Sequence, residues 1–135
     1  EAQFTHAGFA TIAQSFNTKV NAVHAQWMMD KQPNIVYLAS LNKEKKQAVS
    51  VNKAGWIDVH QAKLACEAIW LLVMEVPMSS MKFSVSAIEV HTASRQYQKN
   101  QDNVENSHCR YVLLDGSYFQ YSRAKGKVSQ VIKGN

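Results

Sequence analysis

The chain has little that bends or divides it: five glycines and two prolines among 135 residues. No low-complexity tract, internal repeat or linker interrupts it, so it reads as one domain over 1–135. The scarce glycines form no phosphate-cradling loop. They also form no G-x-S-x-G nucleophile elbow, and Asp58 with His60 is too common a pair to stand for a triad. Two cysteines without a C-x-x-C, and without histidine at ligand spacing, exclude the zinc modules. Long apolar runs are missing too. The longest, 68–74, lies between Glu67 and Glu75, far short of the roughly 20 residues a bilayer requires.

Acidic residues are the minority charge, 10 against 15 basic, giving a net charge of +5 and a mean hydropathy of −0.30. That balance permits contact with an anionic surface without requiring it. The basic residues are scattered, apart from Lys43, Lys45 and Lys46 and a tail with Arg123, Lys125, Lys127 and Lys133; such runs read first as solvated faces. Asp58, Glu67, Glu75 and Glu89 form no paired-carboxylate signature. Of five histidines, His6 and His24 lie too far apart on one helix to meet, and His60, His91 and His108 are isolated in sequence. The expectation is therefore no catalytic residue, no metal and no cofactor: a protein that is not an enzyme.

What is present begins with a helix. Phe9, Ile12, Phe16, Val20, Val23 and Trp27 recur at steps of three and four, a helical stripe over 4–31, with Phe4 ahead of it. Gln14, Lys19, Gln26 and Asp30 take the other side. Pro33 stops the run by excluding the preceding residue from the helical region. At 1.5 Å per residue such a helix is about 42 Å long, enough for its first turns to project. A β-like run follows at 35–38 and a short strand at 48–52, with a turn at Gly55. Asp58 is placed to cap a second helix, whose buried side would carry Leu64, Ile69, Leu72 and Val73, ending at Pro77 and the Ser79–Ser80 pair.

The remainder reads as β, with alternation over 82–90 and 118–121. Strands are expected at 82–90, 109–114, 118–121 and 127–132, with a polar loop at 95–107, a hairpin turn at Asp115–Gly116 and another turn at 124–126. The fold class is α+β: a long N-terminal amphipathic helix (1–32), a middle region with a second, shorter helix (33–80), and an antiparallel sheet of about four strands (81–135) that the first helix covers.

Cys66 falls on the second helix and Cys109 opens a strand, 43 residues later. A disulfide between them would pin helix to sheet, and points to an exported protein; two separate buried thiols are the alternative. Tyr97, Tyr111, Tyr118, Phe119 and Tyr121 lie near basic residues. Arg110, Tyr121, Arg123, Lys125 and Lys127 therefore form a candidate ligand strip for single-stranded nucleic acid, although aromatics on strands usually pair across strands.

Val49-x-Val51-Asn52-x-x-Gly55-Trp56 in the middle region, Val20-Asn21-x-Val23-His24-Ala25-Gln26-Trp27 at the helix end, and Cys109-x-Tyr111, Phe119-x-Tyr121 and Gly126-Lys127-Val128 in the sheet resemble, in that order, type IV pilin-like proteins. Over residues 9 to 132 the pattern is most similar to minor pilins of the mannose-sensitive haemagglutinin pilus. Two departures stand out. Ile57 follows the Gly–Trp pair where the family often has proline. The family's leader glycine, the phenylalanine after it and the apolar helix with glutamate at its fifth position are absent, and Glu1 is not that glutamate.

The resemblance implies a structural subunit of a type IV pilus or related filament, acting in pilus biogenesis, surface attachment or adhesion. It implies that the apolar N-terminal half of the helix is missing from this sequence. It also implies an exported protein of a Gram-negative bacterium, held in the inner membrane before joining the pilus. Its partners would be other pilin subunits, met through the helix. The helix face of Phe9, Ile12, Phe16, Val20, Val23 and Trp27 would lie between the sheet and the filament axis. The alternative is a pilus-associated binding module that recognises DNA or a surface ligand, such as a glycan, through the basic aromatic strands.

Overall fold

The computed structural model describes residues 2–42, 44–91 and 107–134, and of residues 2–5 the backbone. Helix α1 spans Ala2–Met29. Its apolar stripe is the core side of the molecule: Phe9, Ala13, Phe16, Val20, Val23 and Trp27 are all buried. The helix ends at Met29, four residues before Pro33. The Gln32 amide donates to the Trp27 carbonyl at 2.9 Å, while Lys31 and Gln32 take left-handed backbone angles, a helix stop that leaves the carbonyls satisfied. The Phe4 side chain lies outside the described residues.

Strands β1 (Ile35–Ala39) and β2 (Lys46–Ser50) pair antiparallel. Val36 faces Val49 in the register, and both are buried. The chain then turns tightly. Asn52 accepts the amides of Ala54 and Trp56 on its Oδ1, at 2.9 and 3.1 Å. Gly55, at φ 84°, lies so close to the Trp27 ring that a Cβ there would strike it; glycine alone meets both conditions.

The second helix corrects the sequence reading. It does not start at Asp58. Helix α2 spans Ala65–Met74, because the Asp58 carboxylate is committed elsewhere, to the Val59 amide and the Arg123 side chain. The buried face differs from the expected one as well. Ala65, Cys66, Ile69, Trp70 and Val73 are buried, whereas Leu64 is 68% exposed with φ 56° and Leu72 is half-buried. Glu75 ends the helix in the left-handed region, two residues before Pro77. A 3₁₀ turn, Met78–Ser80, follows.

Strands β3 (Val85–His91), β4 (Ser107–Leu113) and β5 (Tyr118–Ser122) form one antiparallel sheet with β4 in the middle. Alternation is complete on β4, where Ser107, Cys109, Tyr111 and Leu113 point inward. Among the described residues the sheet therefore has three strands, not four, and β1 with β2 forms a separate two-stranded sheet. The expected fourth strand survives as two isolated bridges, Tyr118 with Ile132 and Tyr121 with Val128. Between them the Ser129 hydroxyl, instead of a carbonyl, accepts the Gln120 amide at 2.9 Å, and the ladder breaks there. The expected loop at 95–107 falls outside the described residues except for Ser107, which opens β4.

The core forms where α1 crosses this sheet. The Phe16 ring lies 5.4 Å from those of Tyr111, Phe119 and Tyr121 and 6.1 Å from Trp70. Both buried tyrosines keep a partner. Tyr111 donates to the Cys66 carbonyl at 2.7 Å and Tyr121 to the Ile57 carbonyl at 2.6 Å. Burial pushes both phenols well above the usual tyrosine range. Cys66 and Cys109 are joined in a disulfide with Cα atoms 5.3 Å apart, fastening α2 to β4 beside the Tyr111 bond.

Candidate functional site

Among the described residues, two regions of the surface stand out by shape. The first is a polar cleft of about 640 Å³ between the 58–62 segment, the turn after β2 and the ends of β3 and β4. At its floor is Arg123, 6% exposed. Its Nε donates to Asp58 Oδ1 at 2.8 Å, Nη1 to Glu89 Oε2 at 2.7 Å, and Nη2 to the Val59 carbonyl at 3.1 Å. Asp58 is itself buried. Ser107 donates to the same Glu89 oxygen at 3.0 Å. The guanidinium fork thus joins β5, the 58–59 segment and β3, and its donors are occupied within the fold. His60 and His91 also line the cleft, with His91 Nε2 3.9 Å from Glu89. Among the described residues no three metal-ligating side chains gather in a metal-holding arrangement.

The second region is the outward face of α1. Opposite the core stripe, Ala7, Thr11, Ser15, Thr18, Ala22 and Ala25 are exposed, all small and uncharged. Grooves of about 780 and 380 Å³ flank this ridge, and Gln14 lines both. The larger is walled by the end of β1 through Leu41 and by Val73, Met74 and Glu75 of α2 and its cap; the smaller by residues 128–131.

Lys19 is the one Lys, Arg, Asp or Glu between Ala2 and Met29, and it does not lie on the solvated face. Its Nζ reaches Gln47 Oε1 at 2.6 Å and Glu75 Oε2 at 2.9 Å. Glu75 also accepts the Leu41 amide on both oxygens, at 3.0 and 3.2 Å, and Gln47 donates to the Leu72 carbonyl. This clamp ties α1, β2 and the cap of α2. Burial would raise the Glu75 carboxyl; the Lys19 hydrogen bond and charge and the Leu41 amide outweigh it, and its pKa falls below the ordinary 4.5. A depressed carboxyl stabilises the fold above its unfolded pKa, and that stability fades as pH falls through the folded value. Urea unfolding midpoints should therefore drop more between about pH 6 and pH 3.5 in the wild type than in Glu75→Gln; equal drops would remove Glu75 from the acid response.

The site residues expected from sequence separate into three groups. Cys66 and Cys109 come together. Phe9, Phe16, Val20, Val23 and Trp27 are buried, with Ile12 packed at their edge, so the domain's own sheet covers the face assigned to assembly. The ligand strip does not form one surface. Tyr121 and Arg123 are in the interior, while Arg110 lies over the Tyr118 ring at 4.2 Å and donates to Gln120. Lys125 and Lys127 remain exposed; Tyr97 lies outside the described residues. His24 packs its ring 3.7 Å above Trp56 and 5.3 Å from Trp27, and is 3.1 Å from the Gly55 carbonyl.

The Arg123 node and the Lys19 clamp were not foreseen. Neither has a periodic signal; the lone cation on an otherwise uncharged helix was the visible hint of the second. No protein-family model, curated protein or solved structure matches this chain.

Proposed function

We propose that this protein is a non-catalytic structural subunit, of the minor-pilin kind, of a type IV pilus or related filament, exported and joined to other subunits along α1. One observation carries the reading. Helix α1 gives its bulky stripe to its own domain and presents on the opposite side a ridge of small uncharged side chains between two grooves. Small side chains let helix backbones approach closely, and the ridge carries no charge to desolvate. Contact with other subunits then uses Thr11, Ser15, Thr18 and Ala22, and the stripe of Phe9 through Trp27 holds the domain to its helix.

Thr18→Lys with Ala22→Lys tests this. Both positions are exposed, so the purified variant should melt like the wild type yet be missing from filaments sheared off cells. Normal incorporation would refute the assembly role. The upstream coding sequence supplies a second check, since the reading requires an apolar stretch of roughly 20 residues behind a basic leader.

A further inference from the structure

The C-terminal end of α1 carries a combination that the filament reading does not use. Three turns meet there. The Gln32 amide closes on Trp27, and the Val51 amide on the Asn34 carbonyl at 3.1 Å. Gly55 sits against the Trp27 ring and Gly126 against the Trp56 ring, each too close for a Cβ. Asn52 Nδ2 donates to the Arg123 carbonyl at 2.7 Å. These contacts bring Lys31, Lys53 and Lys125, distant in sequence and all exposed, to one pole of the molecule. Among the described residues the neighbouring acids oppose them weakly: Asp58 and Glu89 are engaged by Arg123, leaving Asp30, which accepts from Gln26 at 2.9 Å.

Bulky apolar side chains stand among these lysines. Met28 is 60% and Met29 71% exposed in the last turn of α1, and Ile35 is exposed at the start of β1. We propose that this pole docks on the surface of an anionic lipid bilayer, the lysines meeting the headgroups and the methionines and Ile35 entering the interfacial layer. The charge attracts any polyanion. The apolar residues decide between partners, because a phosphodiester backbone offers them nothing and a headgroup layer accepts both kinds of side chain. Neither tryptophan of the pole is free for base stacking: Trp27 is buried, and Trp56 lies between His24 and Gly126. The inference does not depend on filament membership.

Co-flotation of the full chain with vesicles tests it, comparing phosphatidylcholine alone with phosphatidylcholine containing phosphatidylglycerol. Partition onto the mixed vesicles is expected, weakening as salt rises. Lys31→Ala, Lys53→Ala and Lys125→Ala together should lower the partition coefficient about 100-fold, at roughly fivefold per lysine near the surface. Met28→Ser with Met29→Ser should lower it about tenfold. Lys133→Ala, at the other pole beside Gly134 and the Asp115–Ser117 turn, should leave it unchanged. No flotation with the anionic vesicles would overturn the proposal, as would flotation indifferent to the three lysines. Retention of duplex DNA with no effect of the methionine pair on flotation would assign the pole to nucleic acid instead.

Discussion

Replacing Cys66 and Cys109 together by alanine should lower the unfolding free energy by about 4 kcal/mol, the chain-entropy value for a 43-residue closed loop. The loop holds most of α2, all of β3 and the start of β4, so without the link the denatured ensemble regains the freedom of that whole stretch. The folded state keeps a second tie between the same elements, the bond from Tyr111 to the Cys66 carbonyl. The variant should therefore retain the native near-ultraviolet dichroism at low denaturant, with its urea midpoint shifted down. Wild type unfolded with thiol reductant should reproduce that midpoint. An unchanged midpoint would mean that the disulfide adds nothing to stability.

Arg123→Met should cost about 3–5 kcal/mol, the range for removing one partner of a buried ion pair. The side chain is close in volume, so packing changes little and the loss is electrostatic. Asp58, 8% exposed, keeps its Val59 amide bond but loses its cation, and Glu89 and the Val59 carbonyl each lose a donor. Combining Arg123→Met with Asp58→Asn should recover part of the loss, because the stranded charge is gone. Arg123→Lys should fall between wild type and Arg123→Met, since an ammonium keeps the charge without the planar fork that reaches three partners at once. Urea unfolding of the four proteins provides the test. A loss below about 1 kcal/mol for Arg123→Met would show that water compensates Asp58 fully and that the cleft floor is not dry.

Both predictions depend on contacts that span the chain, and here the sequence reading is uneven. The stripe from Phe9 to Trp27 was visible because a helix repeats its contacts every three or four residues, and its burial is as that spacing requires. The Tyr, Val and Leu content of 109–114 likewise marked β4 as a strand, without showing which of its residues face the core. The second helix was misplaced because Asp58 is a good cap by composition, and composition does not show that Arg123, 65 residues later, takes its carboxylate. Trp70 was overlooked because every residue from 68 to 74 is apolar, and periodicity then does not choose which face turns inward. In the ligand strip, Tyr121 and Arg123 looked like surface groups because they alternate with polar residues near the end of the chain. Their interior position depends on α1 and the 58–59 segment closing over that end of the sheet.

The amino-acid order alone determined the periodic elements, the turns at Gly55, Asp115–Gly116 and Gly126, and the availability of two cysteines for one link, because those depend on neighbours a few residues away. Only the tertiary structure decided that Lys19 and Arg123 leave the solvent for carboxylates, that the helix keeps its bulky face for its own sheet, and that three lysine-bearing turns meet at one end. Such pairings depend on which distant segments come into contact, and burial then makes each pairing obligatory, since an unpaired charge in the interior is too costly to keep.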